Sequence, residues 1–328
     1  MHFFSLASSL ALVSLALGTP APPKTIVVKP VLCPAIDFKK MNTVLTAVLP
    51  KTPRTIKEWP WGQMPKTCMS QTERLKLDPY KMKVYEILYE DCPRPWYVCR
   101  HETAEMSIEA IADNFGRLPV ALRDFVRYQF ATGPRNGAAG GTVVLPRGDV
   151  TYWGNLTDNQ NTFVHEAVHA AEFYRGYKKY GGLYAESKHW MDEYNKDDWR
   201  SDDKSAKSPV EAFAQMGILA LIDKHLPAGL TIFEPNFKLL SHQHNALLDL
   251  IGDDLDFGVT CNRKEPDDEP IVCMGPKVDC ANMPDLKFNP PKESLDPAHF
   301  GVWRSGSVNG SRRMRQRLQT LVLASTSE

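Results

Sequence analysis

The stretch Asn161 to Tyr174, NTFVHEAVHAAEFY, constrains this chain more than any other. It sets His165, Glu166 and His169 among Phe163, Val164, Ala167, Val168, Ala170 and Ala171, with neither Pro nor Gly in the run. Such a run predicts a buried helix, with Asn161 as its N-cap. Residues four apart share a helix face, so both imidazoles point the same way and Glu166 sits beside them. Buried together, these polar groups need partners, and a metal ion with its water supplies them. A chance HExxH pattern in an ordinary packing helix is the plainer alternative.

The spacing suits a particular chemistry. A catalytic zinc takes three protein ligands and keeps one position for water, whose pKa it lowers towards neutrality. His165 and His169 are the first two candidate ligands, and Glu166 is the candidate base. The third has to come from elsewhere. From Ser208 to Ile222 the chain reads as a helix apolar almost all round, hence buried, and Glu211 is its only acid. A buried carboxylate needs a strong partner, so Glu211 is the candidate third ligand. Ser208, Pro209 and Glu211 also fit a capping box, in which Glu211 merely closes the helix start. Glu186, His189, Asp192 and Glu193 are the fallback ligands. A metzincin pattern would want Gly and His where the chain has Glu172 and Arg175.

Upstream, Gly133 to Gly141 reads as a connection that lacks the Lys-Ser/Thr ending of a P-loop. Thr142 to Leu145 and Asp149 to Trp153 form a hairpin around Pro146-Arg147-Gly148. An edge strand beside a cleft can pair with an extended peptide, with Tyr152 or Trp153 as an aromatic wall, although plain sheet packing explains these rings equally. Ala104 to Phe115 and Pro119 to Phe130 read as two helices. Downstream come a turn region from Tyr174 to Tyr184, a helix from Ala185 to Asp197, and another from His242 to Asp256. His242 and His244 raise the idea of a second metal, against the ordinary reading of exposed histidines.

The ends have a different character. MHFFSLASSLALVSLALG reads as a signal peptide, giving an expected secreted, extracellular product and no membrane partner. Net charge is zero, with 39 acidic and 39 basic residues, so no nucleic-acid partner is expected. Seven cysteines flank the motif region, enough for three disulfides and one spare thiol. Cys92 with Cys99, and Cys273 with Cys280, are close enough in sequence to pair. The spare thiol is free, pairs between chains, or sits on the metal as a latency device. Asn155 and Asn309 begin glycosylation sequons. Residues 19–100 read as a loop-rich Cys/Pro lead-in, 101–256 as the main domain, and 257–328 as a Cys/Pro-rich tail ending in a basic helix over residues 311–323.

HEAVH followed by Pro209-Val210-Glu211-Ala212-Phe213-Ala214 resembles the gluzincin-type zinc peptidases, and the second segment is similar to the metal-binding helix of the anthrax lethal-factor group. The resemblance implies a mainly α, α+β zincin-like domain with a small sheet and disulfide-rich flanks. It also implies Zn2+ on His165, His169 and Glu211, Glu166 as base, and a peptide or protein substrate. That group carries an oxyanion-assisting Tyr where this chain has Lys204, and a second acid where it has Gln215. Tyr184, Tyr194 and His189 are therefore the substitute oxyanion candidates. The cysteine-rich, secreted whole also resembles the conidiation-specific proteins of filamentous fungi. The expectation is a secreted zinc peptidase, with a non-catalytic cell-wall or spore-surface protein holding a structural metal as the alternative.

Overall fold

The structure is a computed structural model that describes residues 28–263 and 270–283. The expected signal peptide, Asn309 and the basic terminal helix lie outside the described residues. Thr25 to Val31 reads in the sequence as a short strand, and of its described part, residues 28–31, only Val31 pairs, as an isolated parallel bridge to Arg200.

The fold is α+β, built on one six-stranded sheet of order β1-β3-β4-β5-β7-β6. The chain enters through α1 (Phe38–Val48), capped by Asp37, whose carboxylate accepts from the amides of Lys39 and Lys40. Then come β1 (Arg54–Glu58), β2 (Gln63–Pro65), α2 (Lys66–Arg74), β3 (Met82–Tyr89) and β4 (Trp96–His101). The segment expected to be loop-rich thus supplies half of the main sheet. Period-two alternation explains it. Along β4, Trp96 and Val98 pack into the main core, while Tyr97 and Cys99 pack into a second core on the opposite face. Both faces are covered, so the strands read as nearly unbroken apolar runs that blur the usual alternation.

Helix α3 (Ile108–Gly116) and the one-turn α4 (Val120–Arg123) precede β5 (Tyr128–Thr132). The helix expected from Pro119 to Phe130 is therefore a single turn followed by a strand. Every residue of β5 is buried between parallel neighbours β4 and β7 (Asp149–Trp153), and buried Arg127 is held by Asp149 at 2.5 Å. A short apolar run is compatible with either element, and here sheet pairing decides. The expected hairpin is present, with β6 (Gly140–Val144) antiparallel to β7.

Across the main core lie α5 (Gln160–Tyr180), α6 (Lys188–Lys196), α7 (Pro209–His225) and α8 (Ser241–Ile251). Helix α5 runs into the turn region expected from Tyr174 to Tyr184, continues as far as Tyr180 and stops at Gly181, whose φ of 74° closes the helix. One interior glycine costs a helix only about 1 kcal/mol, which burial outweighs. Its N-cap is Asn159 rather than Asn161, whose side chain instead reaches the Phe38 carbonyl. Helices α5 and α7 pack closely where Gly217 meets Val168: a Cβ on the glycine would stand 2.6 Å from a valine methyl. Strand β8 (Ile271–Cys273) pairs with β2 as a separate ribbon.

Disulfides join Cys68 to Cys99, Cys92 to Cys261, and Cys273 to Cys280, leaving Cys33 exposed and free. The last pair is as expected, but Cys92 and Cys99 take distant partners. No helix among the described residues is long and apolar enough to cross a membrane.

Candidate metal centre

One turn of α5 separates His165 from His169, and both imidazoles face α7. His165 Nε2 lies 3.1 Å from His169 Nε2 and 3.1 Å from Glu211 Oε2. One ligand-capable atom from each of the three residues falls within 4.8 Å of the others. The cap and the inward carboxylate coexist at Glu211. Its amide donates to Ser208 Oγ at 3.1 Å, while its carboxylate lies against His165.

Both imidazoles are oriented from behind. His165 Nδ1 is 3.0 Å from Gln215 Oε1, and Gln215 Nε2 donates to Asp202 Oδ2 at 2.7 Å. The carboxylate of Asp202 fixes which way the amide points, so the amide oxygen accepts a hydrogen bond from Nδ1–H and Nε2 is left as a bare lone pair. His169 Nδ1 is 3.5 Å from Glu172 Oε2, and the other oxygen of that fully buried carboxylate accepts from the Ala185 amide at 2.8 Å. Such partners set the tautomer and direction of metal-binding imidazoles.

Burial pushes His165 down to about 4, against the opposing pull of Glu211, and keeps the ring neutral near pH 7. Burial also pushes Glu166 up to about 7, with His169 and Lys204 working the other way. The contact with His165 leads the causes that bring Glu211 down to about 2. At His169 burial opposes charge, but Glu172 and the nearby carboxylates outweigh it and raise the pKa. A neutral imidazole lone pair and a carboxylate oxygen 3.1 Å apart call for a cation, and among the described residues the Lys204 ammonium stands closest, 3.0 Å from the nitrogen and 3.4 Å from the oxygen. Glu211 Oε2 is in addition buried with no hydrogen-bond partner. Two imidazole nitrogens and one carboxylate make a zinc donor set, so these residues fit the metal their spacing implies.

Glu166 lies beneath β6. The Val143 amide donates to its carboxylate. A Cβ on Gly141 would stand 2.8 Å from Glu166 Cγ, so the strand comes this close only because residue 141 has no side chain.

The expected oxyanion candidates are occupied elsewhere. The Tyr184 hydroxyl donates to the Ala246 carbonyl at 3.0 Å and lies 2.7 Å from His189 Nδ1. The Tyr194 ring carries the Arg200 guanidinium 3.4 Å from its centroid. The cation brought to the site is Lys204, whose Nζ is 3.0 Å from His165 Nε2 and 3.4 Å from Glu211 Oε2. Of the fallback ligands, Asp192 pairs with Lys188 and Glu193 with Lys196 and His242. His242 and His244 face different acids, Glu193 and Asp223. Cys33 is not in the ligand group. Tyr152 and Trp153 sit on β7, an inner strand. Tyr152 is buried against Phe163, and Trp153 lies under Arg135, so β6 forms the sheet edge in their place. Asn155 is exposed, and its Oδ1 accepts from the Thr157 amide at 3.0 Å.

Helix periodicity held the signal for two supporting residues that the sequence reading met only as departures from family patterns. Glu172 follows His169 by three positions and Gln215 follows Glu211 by four, so each shares a face with its ligand. Lys204 and Asp202 lie on an irregular turn and carry no such signal.

Comparison with known proteins gives two matches. The family described as conidiation-specific protein Con-13 matches residues 36–294, which includes the whole candidate site. Conidiation-specific protein 13 of Neurospora crassa is 29% identical over 286 residues, covering 85% of this chain and 79% of the relative.

Proposed function

This chain belongs to the Con-13 conidiation-specific protein family, and within that family we propose that it acts as a secreted zinc-dependent peptidase. The observation that carries the proposal is the convergence of His165 Nε2, His169 Nε2 and Glu211 Oε2, with Glu166 adjacent on the same helix. His165, His169 and Glu211 would hold the metal. Bound zinc supplies a Lewis acid that lowers the pKa of water. Glu166 takes the proton from the attacking water and returns it to the leaving amine. The Val143 amide and the close floor of β6 keep its carboxylate in place. Gln215 holds the His165 imidazole in the tautomer that leaves its Nε2 bare, and the Glu172 carboxylate stands 3.5 Å behind His169 Nδ1. A peptide or protein is the substrate class the resemblance supports.

A second reading has its own support. The family and the Neurospora relative are named for conidiation and not for a reaction, which favours a non-catalytic cell-wall or spore-surface protein that keeps the metal for structure. A peptide-library digest separates the two. Zinc in both wild type and Glu166→Gln, with cleavage by the wild type alone, supports the peptidase. Zinc retained with no cleavage by either protein supports the structural role.

A further inference from the structure

Exposure falls steeply across the candidate site. The side chains of Lys204 and Glu211 are 43% and 33% exposed, whereas that of His165 is 3% exposed. Substrate therefore has to arrive on the side where Lys204 stands. The ammonium lies 3.0 Å from His165 Nε2 and 3.4 Å from Glu211 Oε2, at the mouth of the ligand group and not out on the surface.

The turn that carries Lys204 is fastened to the same support as the metal ligands. Asp202 and Ser205 cross-bond, with the Asp202 amide donating to Ser205 Oγ at 3.0 Å and the Ser205 amide donating to Asp202 Oδ1 at 2.8 Å. The second Asp202 oxygen accepts from Gln215, whose amide oxygen faces His165. One carboxylate thus sets both the direction of His165 and the height of the Lys204 backbone. Lys204 also figures among the charges acting on Glu166, His165 and Glu211 alike.

We propose that Lys204 is a catalytic residue that donates a hydrogen bond to the substrate carbonyl oxygen as charge develops on it. The proposal rests on the peptidase reading and deepens it. On attack, a bond forms between the water oxygen and the carbonyl carbon, the water proton passes to Glu166, and the π pair of the C=O moves onto oxygen. On collapse, that pair re-forms the carbonyl, the C–N bond breaks, and Glu166 delivers its proton to the amine nitrogen. Lys204 donates through an N–H throughout and gives up no proton. An ammonium on a flexible stem suits this work, because it can follow an oxygen whose position shifts between ground state and tetrahedral intermediate.

The test compares zinc-loaded wild type, Lys204→Met and Lys204→Arg by zinc affinity, measured against a chromophoric chelator, and by kinetics on a peptide library. An ammonium beside two ligand atoms opposes a dication, so Lys204→Met is expected to bind zinc about tenfold more tightly. Its kcat should nevertheless fall by about 10²–10³, the usual cost of one oxyanion donor, with KM within about threefold. Lys204→Arg should recover part of the loss. A merely structural lysine would lower zinc affinity and kcat together. Lys204→Met at full zinc occupancy with kcat within about threefold of wild type would overturn the assignment and leave the peptidase reading standing. A zinc-loaded wild type that cleaves no library peptide would overturn both.

Discussion

At the scale of single residues, His165 shows how neighbours decide what a side chain can do. Burial keeps it neutral, Gln215 accepts the hydrogen bond from its Nδ1–H, and its remaining lone pair meets His169, Glu211 and Lys204. Gln215→Ala should therefore keep the fold but weaken zinc binding about 10- to 100-fold, measured by chelator competition, because the ring loses what directs it. Glu166→Gln should retain one zinc while kcat for peptides falls by at least about 10². That the two imidazoles face the same way was legible in the sequence from their i,i+4 spacing, with Glu166 next to them on the same helix. Lys204 was not. Its position depends on Asp202 and Ser205 folding a turn that no periodic pattern announces, and a departure from a family's Tyr could be read as a loss. The phenols considered in its place are engaged elsewhere: Tyr184 bonds the Ala246 carbonyl of α8, and the Tyr194 ring carries the Arg200 guanidinium.

Among elements, the strand reading was the weakest part of the sequence argument. β3, β4 and β5 are covered on both faces, so their apolar residues lack the one-sided alternation that marks a half-exposed strand. The segment Pro119 to Phe130 shows the ambiguity directly: Val120 and Leu122 sit in a helical turn, and Phe130 in a strand. Helices α5 and α7 were read correctly as buried, since only burial accommodates so many consecutive small and apolar residues. The contact of β6 with α5 was not legible, and it is what holds Glu166. Gly141→Ala places a methyl group 2.8 Å from Glu166 Cγ. The strand must shift or the carboxylate must turn, at an expected cost of about 1–3 kcal/mol in denaturant unfolding. The kcat should fall further than zinc affinity does, because the strain falls on the base and not on the ligands.

For the whole molecule, the cysteines that looked like clamps on two flanks tie the fold together. Cys92–Cys261 spans 169 residues and closes the chain around α5, α6, α7 and α8, whereas Cys273–Cys280 spans 7. Loop closure constrains the unfolded chain more as the loop grows, so Cys92→Ser with Cys261→Ser should lower unfolding free energy by about 2–5 kcal/mol. The same change at Cys273 and Cys280 should cost less, with both measured by denaturant midpoint under non-reducing conditions. Composition gave the number of bridges and the odd thiol but not two of the partners, because pairing follows from a sheet whose strands were themselves unread. The family covers residues 36–294, so lead-in, sheet and site are matched together. The proposed chemistry depends on His165, His169 and Glu211 holding zinc. X-ray absorption at the zinc edge of the purified protein reads that donor set directly. We predict two imidazole nitrogens and a carboxylate oxygen, all at about 2.0–2.2 Å, whereas a sulfur near about 2.3 Å would move the metal to a cysteine and contradict the site.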